Sequence, residues 1–369
     1  MGLGTTTISV GGNSNNLITT AGGGGTITSN GNGDNTVNIN SPTASSALYT
    51  ISLIGTGANS VQNTTGGADD GNYAIVLGNT TGTNTVVIGN STQMSAISSG
   101  NGNNVISTGN GAHVITIGAA NALSSISTGA GNNTFTINST AGNSAIYDVT
   151  TGVGSNIINT TNAGISGTAG DGNYAISLGA GNSVITLGNS TAKANGTTAF
   201  DTTITTGEGT SSITVGSGEH SITVGAGVTA ITVGGNSNNV ITTAGGGGSI
   251  TSNGNGNNTV NINEAATSTA LYKISLAGTG IHTISHGSGS TDDGNYAITM
   301  GNTFGANTVN IGNSTSVGTG NTYDTTITTG TGNSNITTGS GEHSITVGTG
   351  VATISIGCLL YTSPSPRDS

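Results

Sequence analysis

An isoleucine returns every nine residues along much of this chain. Ile204, Ile213, Ile222 and Ile231 keep the interval, and Ile327, Ile336, Ile345 and Ile354 repeat it. Around each one, apolar residues alternate with Ser or Thr until glycine breaks the run, as in SITVGAGVT from Ser221. A period of two marks a strand with one buried face. It places Ile222 and Val224 inward, and Ser221 and Thr223 outward. Gly225 and Gly227 then supply turn dihedrals that a Cβ would penalise. A fixed short period with one inward isoleucine per cycle predicts an all-β fold. The expected architecture is a parallel β-solenoid, a β-roll or β-helix, with strand-turn units of about nine residues, two per coil. Ile204 and Ile222 then stack on one sheet. At about 4.7 Å per coil, residues 1–357 would build a rod on the order of 90 Å long.

Larger units ride on this beat. DGNYAI occurs at Asp70, Asp171 and Asp293, and a second block ends at Tyr49, Tyr147 and Tyr272. About three modules result, roughly 1–100, 101–200 and 201–357. Ser9 to Thr92 returns as Thr232 to Thr315, at a constant offset of 223. SPTASSALY (Ser41 to Tyr49) and the polar stretch around Gln62 break the period and read as loops or wider coils. No Pro-rich or charge-rich linker separates the modules, so residues 1–357 are expected to form one continuous solenoid fragment.

The rhythm stops at Gly357. Cys358 to Ser369 holds the only Cys, the only Arg (Arg367) and two of the three prolines. This segment resembles a translated sequencing-library adapter, and 358–369 is set aside as a non-native tail. At the other end, the 223-residue offset puts Met1 on Val224, which suggests an internal codon read as a start. The chain is therefore expected to be a fragment at both ends.

Composition narrows the function classes. Glycine makes up 67 of 369 residues, but without a Gly-X-Y triplet, which excludes collagen. Formal net charge is −11 with three Lys and Arg in total, too few cations to displace phosphate counterions. Nucleic acid is excluded as a partner, and an anionic membrane surface is disfavoured. No apolar run is long enough for a transmembrane segment.

The turn-strand unit resembles the RTX (hemolysin-type) nonapeptide GGxGxDxUx, a parallel β-roll that binds Ca²⁺. In VGSGEHSIT from Val215, Gly216, Gly218 and Ile222 match the motif, whereas Val215 replaces its first glycine. The calcium Asp position holds His220, and elsewhere Asn104, Asn133, His113, Thr229 or Ser334. Neutral Asn stacked coil on coil can pass amide hydrogen bonds, so the expected roll requires no cofactor and folds without bulk calcium. The resemblance implies a secreted bacterial surface protein of adhesin or S-layer type. A shorter likeness, GNSVITLGNST from Gly181, is to the heads of trimeric autotransporter adhesins.

Few residues suggest chemistry. Asp69, Asp70, Asp171, Asp292 and Asp293 precede the GNYAI segments and are calcium candidates, with an Asx turn as the simpler reading. Glu219-His220, Glu342-His343 and the His282/His286 pair read as exposed turn and strand histidines. Tyr49, Tyr147, Tyr272 and Tyr73, Tyr174, Tyr296 read as module-packing residues, or else as a carbohydrate or partner contact. Thr205, Thr214, Thr223 and Thr232 form an outward column whose neighbours are too mixed for a regular ice-binding grid. Outside the tail, Lys193 and Lys273 are the only cations. No nucleophile, acidic pair or basic cleft stands out, so an enzyme is not expected. The leading expectation is a structural, extracellular repeat protein: a fragment of an adhesin stalk or S-layer-like coat. Its partners would be a cell surface, extracellular matrix or itself. The alternatives are a calcium- or ice-binding solenoid, and a polysaccharide-acting β-helix enzyme.

Overall fold

The computed structural model describes residues 4–40, 45–63, 70–140, 145–161, 172–190, 200–263, 268–286, 293–314 and 323–357. Of residues 45, 70, 268, 269 and 293 only the backbone is described. The chain divides into two compact units, residues 1–225 and 226–369.

In the first unit, successive strands alternate between two sheets, and each pairs in parallel with the strand one coil away. This is the expected parallel β-solenoid. Along one sheet Ile75, Ile97, Ile115, Phe135, Ile158 and Ile185 stand in register. Along the other, Val86, Ile106, Ile126, Val149, Ile176 and Ile204 do the same. Ile204 pairs with Ile222, as the period requires. The second unit repeats the design, with Ile250, Ile274, Ile298, Ile327 and Ile345 aligned on one sheet. Ile241, Val260, Ile284, Val309, Ile336 and Ile354 align on its other sheet.

A typical strand has five residues and three inward positions. Thr202–Thr206 buries Thr202, Ile204 and Thr206 and exposes Thr203 and Thr205. The middle position is Ile or Val, or Phe at Phe135; the flanking two are often polar. Each coil is thus an apolar slab with polar margins. Coil length varies with the turns: Ile204 and Ile222 face each other, and so do Ile298 and Ile327. Register survives this variation because a one-residue slip would turn the isoleucine face outward.

The two stretches read as loops or wider coils contain strands, within coils of wider spacing such as Ile27 to Ile51, and residues 41–44 lie outside the described residues. Ser45–Leu53 is one nine-residue strand, paired with Asp70–Leu77. Asn59–Gln62 is also a strand, in register with Asn35–Asn38. Polar composition hid them because half of every strand here is polar. The glycine roles also separate. Gly227 has φ +143°, as a strained turn demands. Gly225 has no such backbone angle; instead a Cβ there would lie 2.5 Å from the Gly207 carbonyl carbon. One glycine serves the turn and the other serves coil-to-coil approach.

Candidate functional site

The nonapeptide's ligand position is the first inward residue of a strand. Asn104, Asn133, His113 and His220 are fully buried there, and Thr229 and Ser334 nearly so. Asn at this position makes two kinds of bond. Its Nδ2 donates to the carbonyl two residues earlier, closing the turn: Asn133 to Gly131 O at 3.0 Å, Asn156 to Gly154 O at 2.9 Å. It also reaches the next coil. Asn16 Nδ2 donates to Asn35 Oδ1 at 2.8 Å, Asn35 Nδ2 to Asn59 Oδ1 at 3.1 Å, and Asn133 Nδ2 to Asn156 Oδ1 at 3.1 Å. This is the amide ladder expected from the missing Asp.

Calcium does not fit this position. Calcium takes six to eight oxygen ligands. Here the side chains are neutral, the Asn35 and Asn133 oxygens already accept N–H groups, and the Asn amide hydrogens go to the turn carbonyl and to the next coil. The candidates Asp69, Asp171 and Asp292 lie outside the described residues, as do the side chains of Asp70 and Asp293. Among the described residues no group of three or more His, Cys, Asp or Glu is placed to hold a metal ion.

A second ladder runs outside, through the turns. Asn110 N–H donates to Asn90 Oδ1 at 2.7 Å, and Ala130 N–H donates to Asn110 Oδ1 at 2.8 Å. Asp201 and Asp324 do the same for the N–H groups of Glu219 and Glu342. These acceptors satisfy turn amides that have no strand partner. Sequence reading did not single out these Asn residues; their regular return once per coil was the available signal.

His113, His220, His282 and His286 are buried, contrary to the exposed reading, and His343 is half-buried. His113, His220, His282 and His343 occupy the inner ladder position, where alternation points them inward, and His286 is the last inward residue of its strand. His113, His220 and His343 place Nε2 3.2, 3.0 and 3.0 Å from the carbonyl four residues earlier. Burial pushes the His220 pKa down to about 4, with the Gly216 carbonyl and Asp201 opposing it. Burial also lowers His113 and His282. His282 and His286 share the inward face of one strand, as predicted for residues four apart.

The six recurrent tyrosines are buried, as the packing reading expects, which removes the surface-contact reading. The two recurrent sets pair with each other on adjacent coils. Tyr49 stacks on Tyr73 at 5.5 Å between ring centroids, Tyr147 on Tyr174 at 5.6 Å, and Tyr272 on Tyr296 at 5.7 Å. The glycine of DGNY belongs to this packing. Gly172 has φ +137°, and a Cβ there would meet the Tyr147 ring at 2.7 Å.

The outward faces are sparse in chemistry. In the second unit Thr232, Thr251, Ser275, Thr299, Thr328 and Thr346 form one hydroxyl column. The adjacent column runs Ala230, Ser249, Lys273, Ala297, Thr326 and Ser344, so a two-column hydroxyl grid is not formed. In the first unit Ala74, Val76, Ala96 and Val114 line a shallow apolar depression. No helix among the described residues is long and apolar enough to cross a membrane.

In comparisons with known proteins, no family model, curated protein or solved structure matches the chain. What the geometry establishes is a parallel β-solenoid repeat protein in which Asn side chains hydrogen-bond from coil to coil.

Proposed function

We propose that this chain serves as a structural, non-enzymatic spacer: part of an extracellular adhesin stalk or S-layer-like coat. The observation that carries the reading is the double Asn ladder. Inner and outer side chains hydrogen-bond from one coil to the next, so a coil can be added without redesigning a core. Such a molecule is suited to reach and coverage. The hemolysin-type rhythm supports secretion to a bacterial surface, and the low charge supports self-association or contact with other surfaces.

The ladder also makes the roll independent of calcium. Circular dichroism of the purified chain should show the same β signal with about 1 mM Ca²⁺ and with excess chelator. Collapse to a coil spectrum in chelator would remove the ladder as the stabilising element. A screen on acidic polysaccharides adds a second arm. Turnover that is lost on Lys193→Ala or Lys273→Ala would replace the spacer reading with an enzymatic one.

A further inference from the structure

The two near-identical stretches differ at one point of the inner ladder. Asn59 and Asn63 in the first become His282 and His286 in the second, at the 223-residue offset. In the first stretch Asn16, Asn35 and Asn59 run as an amide ladder. In the second, Asn239 Nδ2 donates to Asn258 Oδ1 at 2.9 Å, and Asn258 Nδ2 lies 3.3 Å from His282 Nδ1. The Asn258 amide is locked. Its oxygen is taken by Asn239, and its other hydrogen goes to Gly256 O at 3.0 Å. The hydrogen facing His282 therefore makes Nδ1 an acceptor and puts the ring proton on Nε2. Asn59 offers a carbonyl oxygen at any pH. His282 offers a lone pair only while neutral.

We propose that His282 is an acid-labile joint: its protonation breaks the ladder and opens that coil of the second unit, while the Asn59 coil of the first unit stays closed. The step is transfer of a solvent proton to Nδ1, at the expense of the hydrogen bond from Asn258. N–H then faces N–H in an interior where His282 is 0% exposed. On one side the strand Asn258–Ile262 presents Asn258. On the other, the strand Ala306–Asn310 presents Asn307, whose Oδ1 accepts the His282 backbone N–H at 2.9 Å. Neither can take a proton from the ring. Within the strands of the opposite sheet the described titratable side chains are Tyr296, bonded to His286, Tyr272 stacked on it, Lys273 and His343. Lys273 on that sheet points to solvent. His286 keeps a partner in both states, because a tyrosine hydroxyl can donate or accept. That leaves His282 as the joint.

Burial lowers the His282 pKa below 6.5, and no charged neighbour contributes. A depressed histidine pKa gives stability that is present above about pH 6.5 and lost as pH falls below it. Hydrogen exchange on the intact chain, corrected for intrinsic rates, reads this directly. Between about pH 6.5 and the lowered pKa, the strands Asn258–Ile262 and His282–His286 should lose protection by up to about tenfold per pH unit. The strands Asn35–Ile39 and Asn59–Gln62, whose ladder residues are Asn, should lose less than these over the same range. His282→Asn should abolish the loss, and Asn59→His should transfer it to the first unit. Equal protection of both segments at about pH 4.5 would overturn the proposal. So would a loss that persists in His282→Asn, or a folded Asn59→His chain whose first unit is no more acid-sensitive than before.

Discussion

Gly131 shows how little room one residue has between coils. Its φ is +148°, and a Cβ would lie 2.0 Å from the Gly111 carbonyl oxygen. Both the dihedral and the clash oppose any side chain. Gly131→Ala should therefore destabilise the first unit by about 3 kcal/mol or more. Gly11, which has ordinary φ and open space around its virtual Cβ, is the matched control. Gly11→Ala should change stability by less than about 0.5 kcal/mol. Denaturant melts of the two variants check this, and equal midpoints would mean that the coils can part without cost. The sequence showed glycines at both positions, and local pattern could not rank them. The clash comes from a carbonyl twenty residues away in sequence, at Gly111.

At the scale of the strand, the buried tyrosine pairs tie long coils together. Tyr147 and Tyr174 are in register on strands Ile146–Thr151 and Asn173–Leu178. The Tyr147 hydroxyl accepts Ala120 N–H at 3.1 Å and donates to Ser139 Oγ at 3.3 Å. Tyr49 and Tyr73 pair in the same way, but on the other sheet of the same unit. The motif changes sheet because an odd number of strand-turn units separates the two copies. Tyr147→Phe keeps the stack and loses the hydroxyl bonds, so about 1–2 kcal/mol should go. Tyr147→Ala removes the ring and should cost about 3–5 kcal/mol. Thermal melts separate the two, and an alanine variant as stable as the phenylalanine one would deny the stack any weight. Recurrence of the tyrosines was legible in the sequence. Their pairing was not, because it depends on which coils are adjacent and how long their turns are.

For the molecule as a whole, buried histidines make acid the natural stress. His220 in the first unit has its pKa lowered to about 4 by burial. Its stabilising contribution is fully present above about pH 6.5 and is lost as pH falls toward 4, about 3 kcal/mol in total. Asn occupies the same inner position at Asn104 and Asn133, so His220→Asn preserves the ladder chemistry without the titration. The melting temperature of the intact chain should fall between about pH 7 and pH 4.5, and His220→Asn should reduce that fall. An unchanged pH slope would mean that His220 is not desolvated in solution.

The sequence by itself determined the parallel solenoid, the inward isoleucines and the pairing of Ile204 with Ile222. It also anticipated the amide ladder. These follow from alternation of period two and a beat of nine, which are local patterns and are restated many times. Tertiary structure alone decided which polar residues are interior. Ser, Thr and Asn occupy both faces of these strands, so composition at a single position does not reveal its side. His220 and His282 look like surface residues until the neighbouring coil is laid against them. The Asp candidates before GNYAI stay as the sequence left them, while the Gly and Tyr that follow are explained by stacked rings. The physical reason is that a solenoid's short-range pattern sets each coil, whereas burial and hydrogen-bond partners come from residues about one coil away.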